Sequence, residues 1–437
     1  MRKSFAILLL IFVCALGASV GVAQSQKSNG SLSYQQVAAK VQGTATFAEA
    51  GFKNSALSAS YIATRIAEAK RVLNTRSDSS SVARDSVTLA VLDADTSQTS
   101  IFSLPKDEFL IKGADLVATT QSGRTVRVQV VRANGVNTAV TVSDAATGHS
   151  LVPLTVEYPI VKNGSLSETA YYTSAHPALL SDDVSQAGQI YVRRMLDTAA
   201  TNLANDGVNV SPDIVDIAEH LCIVEHTDHK RFLSENHGVL FAEILSLYAL
   251  NQGDTFRYSV STAGAGGMIQ MIPRTYEMVR QQHADVSLTS DFVSGMREHR
   301  NALEAMLLYM NDTWNSLAKS AEVQQALRTG IATKPELMAA GYNSNPMRLP
   351  QYLKNGGAGW RSLIPAETQM YLAIYSSVDQ NVDLQADKTV VDNTSGVPNV
   401  EAMATTPDKN FAILSWLGQS LLRGSAFTLF PMRFEST

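Results

Sequence analysis

The sequence predicts an α+β protein: an N-terminal helical segment plus a small β-rich domain, followed by an all-helical domain. Three observations carry this. Apolar spacing is helical up to about residue 73, strand-like over 86–160, and helical again from Ala175 onward. The 437 residues are 45% apolar and 17% charged, with 26 Gly and 13 Pro. That composition can bury a large core and excludes a mainly disordered, coiled-coil or collagen-like chain. At roughly 150 residues per domain, the length suits two or three domains.

Residues 1–23 read as a secretory signal, with Arg2 and Lys3 as the positive start, an apolar run over 5–16, and Gly21-Val22-Ala23 as the small-residue cleavage site. The expected mature chain begins at Gln24 and belongs in the periplasm. Cys14 offers a lipid-attachment reading, against which stands the bulky Val13 before it. No later stretch has about 20 uncharged apolar residues, so no membrane span is expected. Losing Arg2 and Lys3 takes the formal charge from −5 to −7. No Lys/Arg-rich run marks a nucleic-acid surface.

Residues 24–85 form the helical N-terminal segment. A Ser-rich start precedes two helices, one spaced by Val37, Val41 and Phe47, the other by Leu57, Tyr61, Ile62 and Ile66; residues 76–84 are a linker. Residues 86–175 form the β-rich domain, in which VRVQVVR and TAVTV flank Asn134-Gly135 as a β-hairpin. Residues 176–385 form the helical domain, with helices expected at 190–203, 212–232, 239–250, 273–282, 299–317, 321–328, 335–340 and 367–378. Ser211-Pro212 marks a helix start. Residues 386–437 are a C-terminal extension with one helix at 411–422. The sequence shows no internal repeat.

Two clusters could carry chemistry. His220, His226, His229 and His237 are half of the eight histidines and fall within 18 residues. His226 and His229 share a helix face, with Glu225 one turn from His229. Zinc is one reading, but the spacing matches no metal-binding pattern such as H-E-x-x-H. The alternatives are solvated or structurally bonded histidines, or support for Glu225. Nearby Cys222, the one cysteine of the mature chain, sits in an apolar run and reads as a buried small hydrophobe rather than a reactive thiol.

The second cluster is STAGAGGMIQMIPRTYEMV at 261–279, whose glycines let backbone approach a ligand. It is followed by AAGYNSNPMRLPQYL at 339–353 and IPAETQMYLAIYSSV at 364–378. In that order, the three segments resemble the soluble-type lytic transglycosylases, whose fold is similar to goose-type lysozyme. Ser261, Gly264-Ala265, Gly267-Met268-Ile269-Gln270, Tyr342-Asn343 and Pro365-Ala366-Glu367-Thr368 with Tyr371 take the places of the family's motifs. The resemblance covers about residues 210–380, and Asn345 stands where the family has Gly.

The family's catalytic Glu-Ser lies about nine residues before the serine matched by Ser261, which here falls on Gln252. In one reading, the helix IVDIAEHLCIVEH supplies the acid as Glu225, with His226 in the serine's place and residues 227–260 as an insertion carrying an extra helix. In the other, Asn251 or Gln252 occupies the position and the domain binds glycan without cutting it. The resemblance implies that Glu225, kept protonated by apolar neighbours such as Ile223, Val224 and Met268, cleaves the bond between N-acetylmuramic acid and N-acetylglucosamine in peptidoglycan. It then acts as base on the sugar's own 6-hydroxyl, giving a 1,6-anhydro end.

The resemblance also implies that Tyr342 orients the acid, while Gln270, the backbone near Met268 and Asn343 bind sugar alongside Ser261, Ala265 and Gly267. No cofactor or metal is implied. The partner is the peptidoglycan glycan strand, and the β-rich domain is free to meet an envelope protein. Glu367 reads as a helix-start residue. Tyr258, Tyr342, Tyr352 and Trp360 are candidate sugar-stacking aromatics, with Trp360, in the Gly-rich stretch NGGAGW, reading equally as a loop anchor.

Overall fold

In the computed structural model the described residues are 57–77 and 84–384, all within the unit Ser33–Thr437. They form a curled antiparallel half-barrel sheet and thirteen helices, a mixed α+β architecture. The expectations for the leader, the first N-terminal helix and the helix at 411–422 lie outside the described residues. No helix among those described is long and apolar enough to cross a membrane.

The sheet contains β1 (Ser86–Asp93), β2 (Gln98–Pro105), β3 (Asp115–Thr119), β4 (Thr125–Arg132), β5 (Ala139–Asp144), β6 (Ser150–Lys162) and β7 (Ser165–Tyr172), in the order β2-β1-β6-β5-β4-β3, with β7 also pairing β6. The 13-residue β6 pairs first with β5, then with β1 and finally with β7. Bulges at Ala90/Val91 in the β1–β6 pairing, Val130/Arg132 in β4–β5 and Ile160/Val161 in β6–β7 add twist and help the sheet curl. The curl returns the β3–β4 turn to β2, where the Gln121 amide donates to the Ile101 carbonyl at 3.0 Å. Strand β4 alternates buried Val126, Val128 and Val130 with exposed neighbours. The Asn134-Gly135 hairpin joins β4 to β5, with Gly135 at φ +53°, but through a longer connection containing a 3-10 turn, Gly135–Asn137.

Helix α1 (Ala59–Ser77) is the second N-terminal helix. Its Ile62, Ile66, Ala69 and Leu73 pack with Ala90, Leu92 and Leu154 of the sheet. After the single turn α2 (Lys106–Phe109), the remaining helices are α3 (Asp182–Asn205), α4 (Pro212–Val224), α5 (His229–Ser234), α6 (His237–Asn251), α7 (Pro273–Gln282), α8 (Phe292–Arg297), α9 (His299–Leu317), α10 (Ala321–Arg328), α11 (Lys334–Asn343), α12 (Leu349–Gly356) and α13 (Ala366–Asn381). Helix α3 begins eight residues before the expected 190, because Ser181 caps it by accepting from the Val184 amide.

The single helix expected over 212–232 is two. Thr227 turns its hydroxyl back to the Ile223 carbonyl at 3.0 Å, and Asp228 caps a new helix by accepting from the Arg231 amide at 2.8 Å. These short polar side chains bond locally and end the first helix at Glu225. Ser211 stands at the N-cap of α4, but its hydroxyl goes to Asp213 rather than to the helix backbone. Helices α8 and α12 are short elements that apolar spacing did not reveal.

One hydrophobic core runs from Val87, Val128 and Tyr172 of the sheet through Leu196, Leu221, Phe241, Leu303 and Ile374 of the helices. Two tight joints hold it together. A Cβ on Gly188 of α3 would stand 1.9 Å from the Leu245 carbonyl oxygen, so α3 and α6 touch backbone to side-chain-free backbone. At the end of α6, buried Asn251 accepts from the Thr173 amide and donates to the Thr173 carbonyl, each at 2.8 Å.

Candidate active site

Helix α4 is almost wholly buried: Ile214, Val215, Ile217, Ala218, Leu221, Cys222, Ile223 and Val224 all face protein. The run carries a carboxylate, Glu225, to the C-cap, where the residue remains half-buried. Its Oε1 accepts from the Tyr371 hydroxyl of α13 at 2.6 Å. Burial raises the Glu225 pKa from its ordinary 4.5 to about 8. The Tyr371 bond opposes the rise and the charge of Glu367 adds to it. At neutral pH the carboxyl therefore favours its protonated form. Tyr371 itself is held well above its ordinary pKa, first by burial and then by the Glu225 charge, so it stays a neutral donor.

The adjacent His226 docks the glycine-rich segment. Its ring stacks on Phe256 at 3.4 Å, nearly parallel, and its Nε2 donates to the Met268 carbonyl at 2.9 Å. Because a carbonyl only accepts, Nε2 carries the proton. Burial pushes the His226 pKa down to about 3, so the ring is neutral.

Residues 260–271 fold into a small tongue through antiparallel bridges Val260↔Gly266 and Gly266↔Met271. Ser261 closes its tip, donating its amide to the Ala265 carbonyl at 2.9 Å and accepting the Ala265 amide on Oγ at 3.0 Å. Gly267 is at φ +68°, and a Cβ there would lie 2.2 Å from the Met296 carbonyl oxygen, so only glycine fits. Met268 is fully buried.

The structure therefore gathers Ser261, Ala265, Gly267, Met268 and Gln270 in one loop, pinned beside Glu225 through His226 and Met268. Tyr342 and Asn343 lie on the last turn of α11, which runs three residues beyond the expected end at 340. The Tyr342 hydroxyl donates to the Ile269 carbonyl at 2.7 Å, and burial together with the Glu225 charge raises its pKa. Tyr342 is thus a neighbour of Glu225 but spends its hydrogen bond on the tongue. The residue that holds the acid is Tyr371, which was visible in the third sequence segment without an assigned role. The Gln270 amide donates to the Gly267 carbonyl at 2.8 Å and the Ser259 hydroxyl at 3.2 Å, and Asn343 Oδ1 accepts from Thr368 at 2.8 Å. These two side chains brace the walls; Gln270 does so from a left-handed backbone at φ +46°.

The structure also places the remaining sequence candidates. Asn251 is committed to Thr173, the residue after β7, and Gln252 is exposed. Residues 227–260 carry two helices, and α6 is part of the core. The four clustered histidines do not converge: His220 meets the Asp216 carbonyl and Asp379, His226 the Met268 carbonyl, and His237 the Phe232 carbonyl and Ser377, while His229 opens α5. Among the described residues, the group able to surround a cation is Asp93, Asp95 and His149 at hairpin ends of the sheet, where Arg124 already pairs with Asp93 at 2.8 Å. Trp360 is fully buried and donates to the Ile331 carbonyl at 3.3 Å, so it anchors its loop and offers no stacking face. Cys222 is buried and its thiol is pushed up, as a small hydrophobe would be.

Comparison with protein-family models, with curated proteins and with solved structures finds no match to this chain.

Proposed function

We propose that the chain is a periplasmic lytic transglycosylase that cleaves the β-1,4 bond between N-acetylmuramic acid and N-acetylglucosamine in peptidoglycan. The observation that carries this reading is Glu225: a carboxyl with a pKa of about 8, gripped by Tyr371 beside a glycine-rich tongue. A protonated carboxylic acid at neutral pH is what protonation of a glycosidic oxygen requires.

In this reaction the Glu225 proton goes to the leaving oxygen as the C1–O bond breaks, and the substrate's N-acetyl oxygen stabilises C1 from the other face. The Glu225 carboxylate, still bonded to Tyr371, then takes the proton of the 6-hydroxyl as that oxygen bonds C1. The acid is restored and the product carries a 1,6-anhydro end. Tyr371 suits both halves of the cycle, since a neutral O–H can stay with the acid and strengthens its bond to the carboxylate.

Digestion of purified peptidoglycan, followed by mass analysis of the released muropeptides, tests the proposal. Anhydro ends, lighter than hydrolysed ends by one water, are expected from the parent chain. The substitution Glu225→Gln should lower release on the order of 10²–10⁴-fold with folding intact. Binding to the wall without release of muropeptides by the parent chain would overturn the enzymatic reading and assign the site to attachment. Loss of release on chelation would point to metal chemistry instead.

A further inference from the structure

Glu168 of β7 links the sheet to the segments that flank the tongue. Its Oε1 accepts from the Tyr258 hydroxyl at 3.0 Å and lies 3.5 Å from Arg257 Nε, while its Oε2 lies 3.3 Å from Arg297 Nη1. The Arg297 guanidinium also sits over the Tyr258 ring, 5.7 Å from its centre. These donors come from the two segments that flank the tongue. Arg257 and Tyr258 form its stem, immediately before Ser259. Arg297 ends α8, directly after Met296, whose carbonyl backs Gly267.

The geometry continues inward from this point. Ser259 accepts the Gly267 amide on its carbonyl at 3.1 Å and the Gln270 side-chain amide on its hydroxyl at 3.2 Å. Met268 follows Gly267 and is the residue His226 holds beside Glu225. One path of hydrogen bonds and chain thus runs from Glu168 through Tyr258 and Ser259 to the tongue. A second runs through Arg297 and Met296 to the same glycine. All three side chains around Glu168 are partly buried, so these charge pairs are screened less than fully exposed ones.

We propose that Glu168 is a positioning residue: it clamps both supports of the tongue and so sets the substrate-holding wall opposite Glu225. The clamp's role rests on the reading of this site as a glycan site, but its mechanical part does not. Among the described residues Glu168 makes no hydrogen bond or ion pair with Glu225 or Tyr371, so it governs how sugar is held and leaves the titration of Glu225 unchanged.

Hydrogen exchange of the Gly266 and Gly267 amides in the full chain, free of ligand, tests the clamp directly. In Glu168→Ala both amides should exchange about tenfold faster or more, while amides of α4 and α13 keep parent rates. Glu168→Gln, which still accepts from Tyr258 but carries no charge for the arginines, should recover part of the protection. With peptidoglycan as substrate, Glu168→Ala should raise KM several-fold more than it lowers kcat and leave the alkaline limb of the pH profile in place. Unchanged exchange in the tongue, or exchange that quickens equally throughout the molecule, would overturn the proposal. If the parent chain cleaves no peptidoglycan, the proposed function falls, and the exchange measurement still decides whether Glu168 holds the tongue.

Discussion

Glu225 is pulled two ways: apolar surroundings disfavour its charge, and the Tyr371 hydroxyl favours it. The acid form is the working form in the proposed reaction, so activity should fall as pH rises through about 8. Substituting Tyr371→Phe removes the one interaction that lowers this pKa. The alkaline limb of kcat/KM should therefore move up by roughly one pH unit, while the maximal rate drops because the carboxyl loses its orienting partner. A limb that stays put or moves down would show that Tyr371 does not bind the carboxylate. The same carboxyl leaves a mark on stability. Its folded pKa lies above the unfolded 4.5, so the stabilisation is complete below about pH 4.5 and is lost as pH rises through about 8. Thermal melts should accordingly show Glu225→Gln gaining on the parent chain between pH 5 and pH 9.

At the scale of helices and strands, Gly188 sets how closely α3 and α6 approach. Its missing Cβ leaves room for the Leu245 carbonyl, and a backbone obstacle cannot rotate away. Gly188→Ala should destabilise the fold by about 3 kcal/mol or more, read as a lower melting temperature, because one helix must shift bodily. The helices at Pro273–Gln282, His299–Leu317 and Ala321–Arg328 were legible to the residue, since apolar periodicity coincides with local end signals such as Pro273 at the start of α7 and the Ser320 cap of α10. The break after Glu225 was not, because Thr227 and Asp228 act through backbone bonds that apolar spacing does not register. The tongue was legible from its glycines and Glu225 from its apolar helix. Their joining through His226 and Met268 was hidden, and so was the choice of Tyr371 over Tyr342 as the acid's partner. Both depend on which side chains meet across 42 and 146 residues of chain.

At the scale of the molecule, a hydrophobic cluster runs through both sheet and helices, and three histidines beside it have lowered pKa values. His176 accepts the Val140 amide within the sheet at 3.0 Å, His226 holds the tongue, and His299 reaches the Thr255 carbonyl at 2.8 Å. Burial holds their pKa values at about 3, 3 and 4, below the ordinary 6.5. An unfolded chain takes up these protons first, so stability is lost as pH falls from about 6.5 towards 4, at up to about 1.4 kcal/mol per pH unit for each histidine. Acid titration monitored by circular dichroism should show a cooperative transition in that range, steeper than in a His226→Gln variant. The distance in sequence between Glu225 and Tyr371 has one more consequence. A ribosome delivers the glutamate long before the tyrosine that grips it, and α13 also packs against α4. A growing or prematurely ended chain therefore holds an ordinary, ionised carboxylate, and the proton-bearing acid that the proposed reaction needs comes into being only once α13 is seated.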